Sequence, residues 1–218
     1  MCILGPSGCG KSTFLRIVAG LMLPSKGRVL LNGHPIQGPG LDRGVVFQEP
    51  AIFPWLTVDE NVAFGLQMSG WKKAAVRERT RQVLEIVRLA EYERLYPYQL
   101  SGGMRHRVAV ARAWALKDAA VLLMDEPFSA IDAITRAKLQ DYLVETWLAE
   151  ARTVLYVTHD IEEAIVLGDR VAILTPSPGR VTRSLQIDLP RPRSRHSRAV
   201  TDLKSEITSV MDETAAGR

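Results

Sequence analysis

The amino-acid sequence predicts an α/β layer fold with a mainly parallel sheet, interrupted by an all-helical insertion. Three observations predict it. Apolar runs of strand length alternate with segments of helical periodicity. A glycine-rich turn at Gly5 to Thr13 joins the first run to the first helix. Between about Pro50 and Leu116 the alternation stops and only helical patterning remains. A chain of 218 residues, 46% hydrophobic and 24% charged, suits one compact domain with room for a subdomain, and its core needs no disulfides.

The elements follow in order. Met1 to Leu4 reads as a strand running into the glycine-rich turn, and Phe14, Leu15, Val18 and Leu21 then recur at helical spacing. Val45 to Phe47 is a short strand. Val76, Val83, Leu84 and Val87 mark an amphipathic helix, and another helix runs from Met104 to about Leu116. Val121 to Met124 reads as a buried strand, followed by a helix striped by Leu139, Leu143 and Trp147. Val154 to Val157 is another strand. Asp160 with Glu163 has the form of a capping box, opening a helix that Gly168 ends. Two strands flank the turn at Pro176 to Arg180, and Val200, Leu203, Ile207 and Val210 mark a terminal helix. The expected organisation is one domain over 1–218, a helical subdomain at about 50–116 inserted in the α/β core, and a linker and helix over 190–218.

Composition narrows the setting. Two cysteines, Cys2 and Cys9, argue against a disulfide scaffold and fit a reducing compartment. Apolar runs such as Ala119 to Met124 fall far short of the roughly 18 residues that span a bilayer, and no signal-peptide pattern is present, so a membrane role would be peripheral. The net charge is +4. Arg191, Arg193, Arg195 and Arg198 crowd a segment with Pro190 and Pro192, which reads as a solvated surface linker; no nucleic-acid motif accompanies it.

Gly5-Pro6-Ser7-Gly8-Cys9-Gly10-Lys11-Ser12-Thr13 fits the spacing G-x-x-x-x-G-K-[ST], between a strand and a helix as that motif requires. Glycines let the backbone curl so that its N–H groups converge on a phosphate, and the following helix adds the positive end of its dipole. Lys11 is placed to bridge β- and γ-phosphates, and the Ser12 hydroxyl to ligate Mg²⁺. Cys9 reads as a small loop residue. Downstream, Asp125 and Glu126 end a buried strand. Beside a phosphate loop, Asp125 would hold the ion through water and Glu126 would act as general base on the attacking water.

Leu100-Ser101-Gly102-Gly103-Met104 precedes the helix carrying Arg105, Arg107 and Arg112, a serine and two glycines forming a second anion-binding start. With the phosphate loop and the acidic strand, this segment makes the chain resemble the nucleotide-binding subunit of ATP-binding cassette (ABC) transporters over nearly its whole length. The resemblance implies further roles. Gln48, after Val45-Val46-Phe47, matches the glutamine that contacts Mg²⁺ and relays to the membrane partner. Asp132 in Ser129-Ala130-Ile131-Asp132 matches the D-loop, with isoleucine where leucine is usual. His159 in Val157-Thr158-His159-Asp160 matches the switch histidine that contacts the γ-phosphate. His34, His106 and His196 match nothing. The expected ligands are therefore ATP and Mg²⁺, with Ser12, Gln48 and Asp125 as the metal set and Glu126, His159 and Gln48 as the catalytic set.

Departures from the family pattern also inform. Met104 replaces the common signature glutamine, and His106 stands where glutamine is frequent. The methionine, the Arg43 to Glu49 and Phe53 to Val58 segments, and Pro190-Arg191-Pro192-Arg193 resemble the importer group for nitrate, sulfonates and taurine. Family members carry two or more strands before the phosphate loop, with an aromatic residue stacked on adenine; here four residues precede Gly5. A trimmed or misassigned start is the expectation, with a less stable core and weaker ATP binding, stacking being worth about 1–3 kcal/mol.

By resemblance, two copies pack head to tail, Ser101-Gly102-Gly103 of one capping the γ-phosphate held by the other, on integral membrane permease subunits at the cytoplasmic face of the membrane and, indirectly, a solute-binding protein. Ile52, Phe53, Trp55 and Leu56 either form a groove for a permease helix or pack inside the helical subdomain. Two other readings stand beside the transport ATPase: a soluble non-transport cassette ATPase, which would usually show coiled-coil insertions or paired cassettes, and a truncated non-catalytic fragment.

Overall fold

The computed structural model describes residues 1–150 and 152–216; position 151 and the last two positions of the expected 190–218 segment lie outside the described residues. The elements run β1 (Cys2–Leu4), α1 (Lys11–Val18), β2 (Leu30–Leu31), β3 (His34–Pro35), β4 (Arg43–Val46), α2 (Val58–Met68), α3 (Lys73–Ile86) and α4 (Gly102–Ala115). They continue with β5 (Val121–Asp125), α5 (Ala133–Glu150), β6 (Thr153–Thr158), α6 (Ile161–Leu167), β7 (Arg170–Leu174), β8 (Val181–Gln186) and α7 (Arg198–Ala216). Two compact units result: Met1–Pro39, Met124–Glu126 and Val154–Arg218 form one, Gly40–Leu123 and Pro127–Thr153 the other.

In the first unit, the end of β5 is followed across the sheet by β6, β1, β7 and β8. β1 lies between β6 and β7 and is parallel to both, with Cys2 opposite Tyr156 and Val171, and Leu4 opposite Thr158 and Ile173. A strand paired on both sides and covered on both faces has to be apolar throughout, and Cys2, Ile3 and Leu4 are all buried. β8 closes this end of the sheet antiparallel to β7, and its side chains are mostly exposed. Leu4, Leu15, Tyr156, Ile165 and Ile173 are among the largest fully buried side chains. α6 packs on β1, and α7 packs on α6.

Two local features of this unit differ from the sequence reading. The first helix stops at Val18 and does not reach Leu21. Gly20 takes a left-handed φ of 77°, the Leu21 N–H donates to Arg16 O (2.9 Å) and the Gly20 N–H to Ile17 O (3.0 Å). That pair of bonds is a Schellman end, and it puts Leu21 outside the helix, where it is half exposed. Asn32 and Gly33, both at positive φ, then turn β2 back on β3. Such a turn matches the right-handed twist of a hairpin.

The arginine-rich segment is solvated only in part: Arg198 is exposed, as expected, but Arg191 and Arg193 are not. Arg193 is buried, its guanidinium donating to the carbonyls of Ile165, Gly168, Ile187 and Leu189. Arg191 pairs with Asp169 and donates to Leu167 O at 2.7 Å. The last carbonyls of a helix lack intrahelical partners, and a guanidinium fork supplies the donors they need at the end of α6. Gly168 there has φ −85°, so its role is space: a Cβ would stand 2.7 Å from Ala164 O. At the other end of α6, Asp160 caps the N–H groups of Glu162 and Glu163, but the Glu163 carboxylate turns away to β6 instead of completing a box.

In the second unit, α2, α3 and α4 pack on one another around Val62, Leu66, Val83, Leu84, Val108 and Trp114, and α4 also packs on β4. α2 opens with a capping box between Thr57 and Glu60. Fully buried Asn61 accepts from Phe53 N–H and donates to the carbonyls of Phe53, Leu56 and Thr57. This fixes the preceding turn, in which Phe53 and Leu56 are half-buried and Trp55 is 70% exposed. Arg79 donates to Trp114 O (2.7 Å) and satisfies the end of α4.

Candidate nucleotide site

β1 delivers the chain into the glycine-rich turn and α1 carries it away. Gly8 and Gly10 hold φ of +78° and +102°, and a Cβ at either would meet nothing within 4 Å. Their requirement is therefore conformational, since left-handed backbone strains any L side chain. Left-handed residues in such a turn aim successive N–H groups to one side of the chain, and the first turn of α1 adds its own. Gly5 has a different reason. A Cβ there would lie 3.1 Å from both Cys9 Sγ and Leu174 Cβ, so a side chain would press the turn away from β7 by a few tenths of an ångström.

Lys11, the first residue of α1, is only 5% exposed, and its ammonium donates to Gly5 O (2.8 Å) and Pro6 O (2.9 Å). A buried ammonium needs such partners, and these two carbonyls hold it inside the turn. Ser7, Gly8, Gly10 and Thr13 face solvent, Pro6 and Ser12 are half-buried, and Cys9 is buried, consistent with a packing residue. A feature the sequence reading missed backs this loop. At Gly179, in the turn between β7 and β8, a Cβ would run into the Cys9 carbonyl. The Pro-Ser-Pro-Gly run at 176–179 was the available signal.

The acidic pair lies in the same unit. Asp125 ends β5, buried, with the Ser12 side chain beside its carboxyl. Burial pushes the Asp125 pKa above the ordinary carboxylate value; the neighbouring Glu126 adds to the rise, while Ser12, Lys11 and Arg16 oppose it. Glu126 sits at φ 46°, in the left-handed region, and its N–H donates to Val157 O at 3.0 Å. Non-glycine residues held there carry strain that the surroundings must compensate, and they cluster at working sites. From this kink the Glu126 carboxylate reaches His159 Nδ1 at 3.1 Å. The Glu126 side chain is 13% exposed and the His159 ring 58%.

Of the residues singled out from the sequence, Lys11, Ser12, Asp125, Glu126 and His159 thus belong to one compact unit, while Gln48, Ser101 to Gly103 and Asp132 belong to the other. Gln48 is exposed on the loop after β4. Ser101 is the N-cap of α4, its Oγ accepting the Met104 N–H at 3.3 Å. A Cβ at Gly103 would stand 3.3 Å from Ala130 O, which places this turn beside the Ser129 to Asp132 segment. Asp132 accepts the Thr135 N–H at 2.9 Å at the start of α5, a bond that lowers its pKa. The arginines of α4 are engaged elsewhere: Arg105 on Leu100 O, Arg107 on Val87 O, and Arg112 over the Phe53 ring at 5.2 Å. His106 is buried, and burial lowers its pKa, so it is a neutral core residue.

A sequence model of the ABC transporter family matches residues 1–129. The chain belongs to the ABC transporter family. Within that family, an aliphatic sulfonates import ATP-binding protein (SsuB) of Bacillus licheniformis is 46% identical over 212 residues, spanning 97% of this chain and 82% of its own length. A taurine import ATP-binding protein (TauB) of Burkholderia pseudomallei is 48% identical over 203 residues, spanning 93% and 77%. Among solved structures, a dimeric ATP-binding cassette in a post-hydrolysis state, bound to ADP and phosphate, matches with a TM-score of 0.77 at 32% identity. That match covers 87% of this chain and 85% of the other. The α/β fold with a phosphate loop and a mainly parallel sheet, expected from the sequence, is the fold of this ABC family chain.

Proposed function

We propose that this chain binds and hydrolyses ATP as the energy-supplying subunit of an ABC importer whose solute is taurine, an aliphatic sulfonate or a nitrate-like anion. One observation carries the chemical part: a buried lysine inside a left-handed glycine turn, a hydroxyl–carboxylate pair, and a carboxylate–imidazole pair all lie in one compact unit.

In this reading the amides of Gly5 to Thr13 and the Lys11 ammonium bind the β- and γ-phosphates, Lys11 exchanging its two loop carbonyls for phosphate oxygens. The Ser12 hydroxyl and the Asp125 carboxylate are neighbouring hard oxygen donors and would suit a small divalent cation; the family resemblance would add Gln48 to that set. Bound Mg²⁺ supplies charge neutralisation at the phosphate oxygens. Glu126 takes the proton of the attacking water, and His159, bonded to it, faces the γ-phosphate.

Ser101, Gly102 and Gly103 serve the site of a second copy, with Asp132 at the same boundary. The helical stretch at about 50–116 meets the permease subunits, Trp55 offering the exposed aromatic surface. Among the described residues no helix is long and apolar enough to cross a membrane. In this reading those partners hold the chain at the cytoplasmic face. A separate solute-binding protein completes the system, and nucleic acid has no part in it. The names of the sulfonate and taurine relatives favour this solute class.

Complementation tests the proposal. Cells lacking the ATP-binding subunit of a taurine or sulfonate importer should regain uptake when supplied with this chain. ATP hydrolysis without membrane association and without restored uptake would contradict it.

A further inference from the structure

Glu163 lies outside the nucleotide-site motifs, and it is the third residue of a short helix already capped by Asp160. Its carboxylate nevertheless reaches back to β6. Glu163 Oε2 accepts from Thr158 Oγ1 at 2.7 Å and from Tyr156 Oη at 3.1 Å. The Thr158 hydroxyl in turn accepts the Asp160 N–H at 3.0 Å. Asp160 Oδ1 then accepts the N–H groups of Glu162 (2.8 Å) and Glu163 (3.2 Å). The circuit runs Thr158, Glu163, Asp160 and back to Thr158. His159 lies between two of its members, Thr158 and Asp160.

The histidine needs that support. More than half of its ring faces solvent, so packing does little to choose its torsions. Its partner is held independently, because the Glu126 N–H donates to Val157 O on the same strand. The Glu126 backbone is thus tied to the end of β6, from which His159 follows, and the backbone on each side of His159 sets where the imidazole points. Tyr156 is buried, and that burial, with the Glu163 charge beside it, raises its pKa and keeps the phenol a donor.

We propose that Glu163 is a positioning residue for ATP hydrolysis, its carboxylate fixing the Thr158–Asp160 turn so that His159 stays in reach of Glu126. The inference rests on the reading of Glu126 and His159 given above. Capping of α6 does not explain these contacts, because Asp160 already supplies the cap and the Glu163 carboxylate accepts from the Tyr156 and Thr158 hydroxyls of β6.

The test uses the full chain and the variants Glu163→Ala, Glu163→Gln, Thr158→Val and His159→Ala. Turnover, KM for Mg·ATP and the NMR signals of the His159 ring are the readouts. Glu163→Ala should lower kcat about tenfold, as loss of an orienting partner does, with KM within about twofold. It should also shift the His159 ring signals. Glu163→Gln keeps an acceptor oxygen and should recover most of the loss, whereas Thr158→Val should resemble Glu163→Ala. In the His159→Ala background, Glu163→Ala should add less than about twofold.

Full kcat with unmoved ring signals in Glu163→Ala overturns the proposal. So does an equal loss in the His159→Ala background, or a glutamine no better than alanine. If Glu163→Ala does not fold, Thr158→Val and Glu163→Gln decide by the same criteria. Parental turnover in His159→Ala would instead sink the role given to the histidine, while the ring signals would still report whether Glu163 holds it.

Discussion

The chain has two glycine-rich helix starts, and their construction differs at every level. At Gly5 to Thr13, Gly8 and Gly10 are left-handed, Lys11 is buried in the turn, and Ser12 lies beside Asp125. At Ser101 to Gly103 neither glycine has positive φ, Ser101 already accepts the Met104 N–H, and the turn is largely exposed. The first has a buried ammonium and two carboxylates in its own unit, which is what the proposed site for a charged ligand needs. The second is a capped helix with no lysine in its turn, and the proposal gives it only a contribution to the site of another copy. Similar composition thus yields two different devices, and backbone conformation together with what stands behind each turn separates them.

Substitutions can break or sharpen that contrast. The largest effect is expected at Glu126. Glu126→Gln should lower ATP turnover by about 10²–10⁴-fold, the usual contribution of a positioned base, while Mg·ATP remains bound. Turnover that survives would mean that the first turn does not have its base behind it.

Paired glycine substitutions test the backbone directly. Gly10→Ala places a side chain at φ +102° and should cost about 1–2 kcal/mol in unfolding free energy, along with nucleotide affinity. Gly102→Ala, in an ordinary helical position, should be neutral or stabilise by up to about 1 kcal/mol. Equal losses in urea titrations would erase the distinction.

Smaller still, Ser101→Ala removes an N-cap. It should cost about 1 kcal/mol of stability and leave the Kd of the isolated subunit for Mg·ATP unchanged. A matching drop in that affinity would show that the second turn shares the first turn's ligand without a second copy.

Much of this was legible in the sequence because it is local. The spacing from Gly5 to Lys11, the apolar strand before Asp125, and the strand before His159 each encode an element and the residue at its end. The helix end at Gly20 and the hairpin at Asn32-Gly33 were equally local, and the glycines that mark them were there to be read. Other features depend on contacts across the chain. Nothing near Arg193 announces that its donors will meet carbonyls at Ile165 and Gly168, so a basic proline-rich run looks wholly solvated when one of its arginines is a buried clamp. Glu163 looked like half of a capping box because that pattern is short-range, whereas its partners Tyr156 and Thr158 lie on the preceding strand. The placement of β1 between β6 and β7 pairs residues more than 150 positions apart, which no window of sequence contains.

The claim beneath all of this is that the first turn, through the Lys11 ammonium, grips a triphosphate. Calorimetric titration of Mg·ATP into the parent chain and into Lys11→Ala tests it most directly. Loss of charge-assisted bonds worth about 1.5–3 kcal/mol should weaken binding by about 10- to 150-fold in the variant. Equal affinity in the two proteins, or no binding to the parent, would contradict the account.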